Sequence, residues 1–202
     1  MKPFTIAALT TLASTAAAQR SFYLMALRSA SPIHFGAINA NASGLWIGKE
    51  SADYCPDIDG LRNSCPNSTS AIFGISQDGV QSNTTGNLYL DVIVPGGQQI
   101  YIEPSCGKVL YTTHHSVSKP QGSILGGWSL DTTRGGDLSF LAYNNGTFFC
   151  PVDNTTDPVT RQPRGPWQMY ASLPNVTLPS KSCLGANLLA SNTSGPGAFE
   201  YS

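Results

Sequence analysis

Charge is scarce in this sequence. Of 202 residues only 11% are Asp, Glu, Lys or Arg, and they nearly cancel, for a formal net charge of −1. An average soluble protein carries about 25%. A surface this sparse cannot neutralise a phosphate backbone, which excludes nucleic acid as a partner. Histidine is rare, at three residues. No Cys-x-x-Cys pair occurs, so zinc-ribbon and thioredoxin chemistry lack their ligands. The HExxH, P-loop, GxGxxG and GxSxG signatures are missing as well. No segment holds a sustained 3.6-residue apolar period, which leaves few helices to be expected. Beyond the N-terminus no apolar run reaches the roughly 20 residues that cross a bilayer. Residues Ser191 to Ser202 are polar and lack the hydrophobic tail of a lipid-anchor signal. No membrane and no cofactor is expected.

Hydroxyl and amide groups take the place of charge: Ser, Thr and Asn account for 52 residues. Hydrophobic residues are 41%, enough for a core. At the N-terminus Lys2 precedes an apolar, small-residue stretch from Phe4 to Ala18, ending in Ala16-Ala17-Ala18 before Gln19. These are the three parts of a secretory signal peptide, and the stretch is too short for a membrane anchor. The reading is a signal peptide over residues 1–18 and one secreted domain over 19–202. Seven Asn-x-Ser/Thr sites, at Asn41, Asn67, Asn83, Asn145, Asn154, Asn175 and Asn192, suit the same compartment, and glycans there would solvate a weakly charged surface.

Five cysteines in a secreted chain point to bridges rather than reactive thiols. Cys55 and Cys65 flank a Pro/Asp/Gly/Asn segment and would close a local loop. Cys150 and Cys183 would tie the last strands. Cys106 is then left unpaired, although it is also able to replace a member of either pair, because connectivity cannot be read from spacing.

Apolar, β-branched and aromatic residues recur with period two in short runs broken by Gly, Pro, Asn and Ser, which predicts strands. About twelve are expected: 22–27, 34–40, 45–47, 71–75, 88–94, 99–102, 109–112, 127–130, 138–142, 147–150, 167–171 and 184–189. Asn145-Gly146 between apolar runs is a hairpin turn, and Pro95-Gly96-Gly97 is another. The segment Ala71–Gly79 leading to Leu88–Leu90 is echoed by Gly127–Gly135 leading to Leu138–Phe140. Three such units would build a β-trefoil-like barrel, with a sandwich or Greek-key barrel as the alternative. Polar stretches near 55–70 and 152–166 are loop excursions.

Candidate chemistry is thin. Adjacent His114 and His115 point to opposite faces of an extended segment and cannot easily share a metal, even with His34. Asp53, Asp57, Asp59 and Gly60 resemble half a calcium loop, but the bidentate acid is missing further on. Asp91, Glu103, Asp131 and Asp137 are available carboxylates, yet nothing in their spacing marks a glycosidase pair. No catalytic or metal residue is therefore assigned. Trp46, Trp128 and Trp167 suit either core packing or stacking against a sugar ring. In Ser31-Pro32-Ile33-His34-Phe35, Pro32 biases Ser31 away from helix, and alternation would put Ile33 and Phe35 on one face with His34 on the other.

Several strings resemble a known family when taken together: Met25–Phe35, Pro95–Ile102, Lys108–Ser116, Phe149-Cys150-Pro151 and Cys183-Leu184-Gly185. They are similar to secreted proteins of filamentous fungi described as phialide cell wall proteins and as IgE-binding antigens. The resemblance covers most of the chain after the signal peptide. It implies an extracellular glycoprotein connected with wall formation and spore-bearing cells, and it implies no catalytic residue. Cys106 and the 152–166 stretch depart from the pattern. The expected function is a non-enzymatic wall protein whose partner is wall polysaccharide or matrix. The alternatives are an enzyme acting on wall glycans and a secreted antigen or effector that binds a partner protein. The oligomeric state is left open.

Overall fold

A computed structural model describes residues 20–60, 64–66, 68–76, 83–113, 115–133, 138–153 and 155–202. The expected signal peptide, His114, Asp137 and the sequon residues Asn67 and Asn154 lie outside these. The described residues contain strands and turns and no helix.

Alternation in the sequence becomes alternation of burial. In β1 (Ser21–Leu27), Phe22, Leu24 and Ala26 point into the core while their neighbours stay half-exposed. Nine strands then close a ring through antiparallel pairings. From β1 it runs through β5 (Ile72–Ile75), β7 (Leu88–Leu90), β8 (Gln98–Ile102), β9 (Val109–Tyr111), β3 (Gly44–Ile47), β13 (Trp167–Ala171), β12 (Thr147–Pro151) and β14 (Leu184–Thr193), back to β1. Closure removes the unpaired edges that invite aggregation. Outside the ring, β2 (Asn39–Asn41) pairs with β3. A branch of β11 (Leu138–Tyr143), β10 (Trp128–Asp131) and β6 (Asn83–Gly86) extends from β14. A separate two-stranded ribbon joins β4 (Asp53–Tyr54) to β15 (Glu200–Tyr201).

Two ring strands switch partners along their length. Gln98 and Gln99 of β8 face β7, whereas Ile100 to Ile102 face β9. Leu184 to Ala186 of β14 face β12, and Leu188 to Ser191 face β11 on the same edge. Strands that change sheets in this way form the corners of a barrel. The barrel is thus built from two sheets folded together at β8 and β14. The internal echo of the sequence corresponds to two neighbouring strand pairs, β5 with β7 and β10 with β11.

All twelve expected strand regions contain a strand. The three further strands, β4, β6 and β15, are only two to four residues long, with no alternation for a sequence reading to detect. The expected strand over 34–40 is corrected to Asn39–Asn41, because residues 31–35 form a turn.

The core is continuous, with Phe22 stacked on Phe73 at 6.4 Å and Trp128 tilted against Tyr143 at 5.1 Å. β5 is buried on both faces, since residues 197–201 cover its outer side. There the Ile72 backbone N–H donates to the Tyr201 hydroxyl at 3.3 Å. Gly74 pairs with Tyr89 on the neighbouring strand, and the Tyr89 ring occupies the space that a Gly74 side chain would need.

Fully buried Gln98 fastens this cover. Its amide donates to the Tyr201 carbonyl at 2.8 Å and to the Thr112 carbonyl at 3.2 Å, and its side-chain oxygen accepts the Tyr201 N–H at 2.7 Å. Cys55 is bonded to Cys65 and Cys150 to Cys183, with Cα separations of 6.0 and 4.1 Å. Cys106 carries a free thiol in the turn between β8 and β9.

The 152–166 excursion is organised by one acid. Asp157 Oδ1 accepts the Val159 and Thr160 N–H groups, both at 2.9 Å, and Oδ2 accepts Arg164 at 3.0 Å. The Thr160 amide, then Arg164, then the Val159 amide hold the Asp157 carboxyl down at about 2.

Three outcomes are expected. Replacing Gln98 by Leu leaves both backbone polar groups of Tyr201 buried without partners. Denaturant melts should show a loss of about 2–4 kcal/mol, and an unchanged midpoint would refute the clamp. Burial, with the Asp91 charge adding to it, pushes Tyr89 up to about 12; burial, with Asp53 adding to it, does the same for Tyr201. An unfolded phenol ionises near about 10, so this contribution is intact below that pH and fades as pH climbs from about 10 to 12. Tyrosinate absorbance for these residues should appear near pH 12 rather than near 10, unless alkaline unfolding comes first. Asp157 runs the other way: its contribution is present above the ordinary carboxylate range and is lost as pH falls toward about 2. Asp157→Ala should make the 155–164 loop protease-sensitive at neutral pH without moving the barrel melt.

Candidate functional site

After β1 the chain folds into a ridge, Arg28 to Phe35. The Ser31 hydroxyl donates to the Arg28 carbonyl at 2.9 Å, the His34 N–H to the Ser31 carbonyl at 3.2 Å, and the Gly36 N–H to the Ile33 carbonyl at 3.0 Å. The ridge is pinned to β1 by two bonds of 2.9 Å, Phe35 N–H to the Ala26 carbonyl and Ala26 N–H to the Gly36 carbonyl. Ile33 is fully buried beneath it as an anchor.

The expected grouping of Ile33 with Phe35 is corrected here. Phe35 has φ 59°, a left-handed backbone that bulky residues rarely adopt, so alternation breaks and its ring turns outward, 62% exposed. The His34 ring packs against it, centroids 3.9 Å apart and planes 31° apart. His34 Nδ1 accepts the Arg28 N–H at 3.2 Å, which leaves Nε2 as the protonated ring nitrogen when the imidazole is neutral.

Hollows flank the ridge. On one side lies an open cleft of about 690 Å³, floored by Gly185, Ala186 and Asn187 of β14 and walled by Phe35, His34 and Phe148. Gly185 matters locally: an added Cβ would come within 3.3 Å of the Phe148 ring, so glycine lets that ring lie close over the β14 backbone. Arg28 reaches across and donates to the Gly185 carbonyl at 2.8 Å. The Thr147 hydroxyl is spent on the Ala186 carbonyl at 3.0 Å. The cleft lining contains no carboxylate. On the other side a hollow of about 520 Å³ is bounded by the ridge, Gln162, Pro163 and Leu184. Both hollows thus adjoin the Met25–Phe35 string. The Pro95–Ile102 string forms a turn at Pro95-Gly96-Gly97, with Gly97 N–H donating to the Val94 carbonyl at 3.0 Å, and then strand β8, beside a smaller hollow of about 260 Å³.

The other residues singled out by the sequence lie elsewhere. Trp128, Trp167 and Trp46 are 0, 3 and 8% exposed. The Lys49 ammonium sits 3.6 Å over the Trp46 ring, and the Trp46 indole N–H donates to the Asn41 carbonyl at 2.7 Å. None of the three presents an open ring face, so these indoles pack the protein. Asp91 accepts the Ser21 hydroxyl, Glu103 accepts Ser105 at 3.1 Å and the Cys106 thiol at 3.2 Å, and Asp131 caps Thr133. Near Cys106, burial pushes the Tyr170 hydroxyl up, with Cys106 and Glu103 adding to it. Among the described residues no three His, Cys, Asp or Glu side chains converge as for a metal. Asn145, Asn175 and Asn192 are exposed, whereas Asn41 is half-buried and donates to the Glu50 carbonyl at 3.0 Å.

Sequence reasoning overlooked the cleft. One signal was present: adjacent Phe148 and Phe149 on a strand must send one ring outward. Nothing in the sequence foretold that β14 would bring Gly185 and Asn187 to residues 28–35.

Comparisons with known proteins agree with this architecture's extent. A family profile described as "PhiA-like secreted protein" matches residues 22–202. An uncharacterized secreted protein of Arthroderma benhamiae is 29% identical over 172 residues, covering 81% of this chain and 76% of that relative. No solved structure matches. The profile match spans residues 22–202, from β1 through β15, and places the chain in the family of PhiA-like secreted proteins.

Proposed function

We propose that this secreted protein is a non-enzymatic glycoprotein of the fungal cell wall, held there by wall polysaccharide or matrix and connected with spore-bearing cells. The observation that carries the reading is the cleft: an exposed aromatic and uncommitted polar groups face solvent together, without a carboxylate to act as general acid or base. Hydrolysis of glycosides needs two such acids flanking the scissile bond. Exposed sequon asparagines, Asn145 and Asn175 in turns and Asn192 near the end of β14, support glycan attachment, since modification requires an accessible side chain. Family membership supports an extracellular setting. The signal peptide over residues 1–18 supports the route.

The full-length chain expressed in a filamentous fungus should leave the cell without residues 1–18 and shift in mass on enzymatic deglycosylation. It should partition with washed walls of spore-bearing hyphae more than with vegetative hyphae. Recovery solely in the soluble medium would remove the wall assignment.

A further inference from the structure

The cleft beside the ridge displays an arrangement that folding alone does not call for. Phe35 is held outward on a strained backbone, a conformation that persists only where its surroundings enforce it. His34 covers one side of its ring and leaves the rest to solvent. Across the cleft, Phe148 is half-buried above Gly185. The lining also carries polar groups that no hydrogen bond within the described residues consumes: the Asn187 amide, the Ser29 hydroxyl and His34 Nε2. The lone charged side chain of the lining, Arg28, already gives one N–H to Gly185.

We infer that the Phe35–Phe148 cleft is a saccharide-binding subsite for a neutral pyranose chain. The chemistry selects that class. A pyranose presents C–H bonds on its faces and hydroxyls around its rim; aromatic faces take the first, and Asn187, Ser29 and His34 the second. A volume of about 690 Å³ falls within the range of about 300–1,000 Å³ usual for small-molecule sites. A strongly anionic chain would call for several free cations, whereas the lining supplies one guanidinium, partly engaged. The inference deepens the wall reading and rests on it for the source of the sugar, either β-glucan or an N-acetylglucosamine polymer. Asn145 adjoins lining residues Gly146 and Thr147, so a glycan on Asn145 would begin at the rim.

The test is calorimetric titration of the secreted full chain, and of its Asn145→Gln variant, with laminarihexaose and with chitohexaose. Each titration is repeated in Phe35→Ala, Phe35→Tyr and Phe148→Ala backgrounds. Binding of either sugar should weaken about tenfold in the Phe35→Ala and Phe148→Ala variants and persist in Phe35→Tyr, with the melting temperature of Phe35→Ala unchanged. Which hexamer binds identifies the source. Binding confined to Asn145→Gln supports the subsite and shows that the chain's own glycan occupies it. The subsite is refuted if neither sugar binds any form, or if binding is indifferent to both Ala substitutions. Oligosaccharide binding without wall retention would overturn the wall reading alone. Wall retention by a chain that binds neither hexamer in any form would overturn the subsite alone.

Discussion

The structure depends on a single ten-residue strand that must satisfy three neighbours. β14 hydrogen-bonds β1 along one edge and divides the other between β12 and β11. Without that division the ring would not close, and the outer branch of β11, β10 and β6 would have no attachment. The Cys150–Cys183 bond fixes the approach to β14 from the β12 side, just before the strand begins. The cleft floor is the same stretch of backbone, Gly185 to Asn187. Closure of the barrel and construction of the cleft are therefore one event, and positions that look functional are also positions that hold the fold.

A second constraint acts two strands further round the barrel wall, beyond β1. β5 needs a cover on its outer face, and the segment carrying β15 supplies it through Gln98, Tyr201 and the ribbon with β4. A fully satisfied buried amide specifies geometry as well as stability, because any other placement of residue 201 leaves polar groups dry and unpaired. The hydroxyl of Tyr111 adds a bond to the Ser202 carbonyl at 3.0 Å, which extends the same seam.

Much of this was readable from the residues. Period-two runs located twelve strand regions because half-buried strands write their burial directly into the sequence, as Phe22, Leu24 and Ala26 do in β1. The short strands Asp53–Tyr54 and Glu200–Tyr201 were not readable, since pairing with a distant segment creates them and no local pattern precedes it. Phe35 misled for a related reason. Alternation assumes extended backbone, and a single left-handed residue reverses which side chain meets water. The tryptophans were ambiguous because one flat ring serves a core and a sugar equally well; only burial separates the two uses. The cleft joins residues some 150 positions apart in the chain, as in the bond from Arg28 to Gly185, and no local pattern reports such a meeting.

Several carboxylates here serve as turn fasteners. Asp131, Asp153 and Asp157 each accept the backbone N–H of the residue two positions on, at 2.9 Å. These carboxylates keep their charge, but in a chain whose few charges nearly cancel, little long-range field surrounds the molecule. Encounter with any partner is then governed by diffusion and orientation alone, at the unsteered rates of about 10⁵–10⁶ M⁻¹s⁻¹. Those rates should barely respond to dissolved salt, which suits a protein whose surroundings, outside the cell, are not held at constant ionic strength.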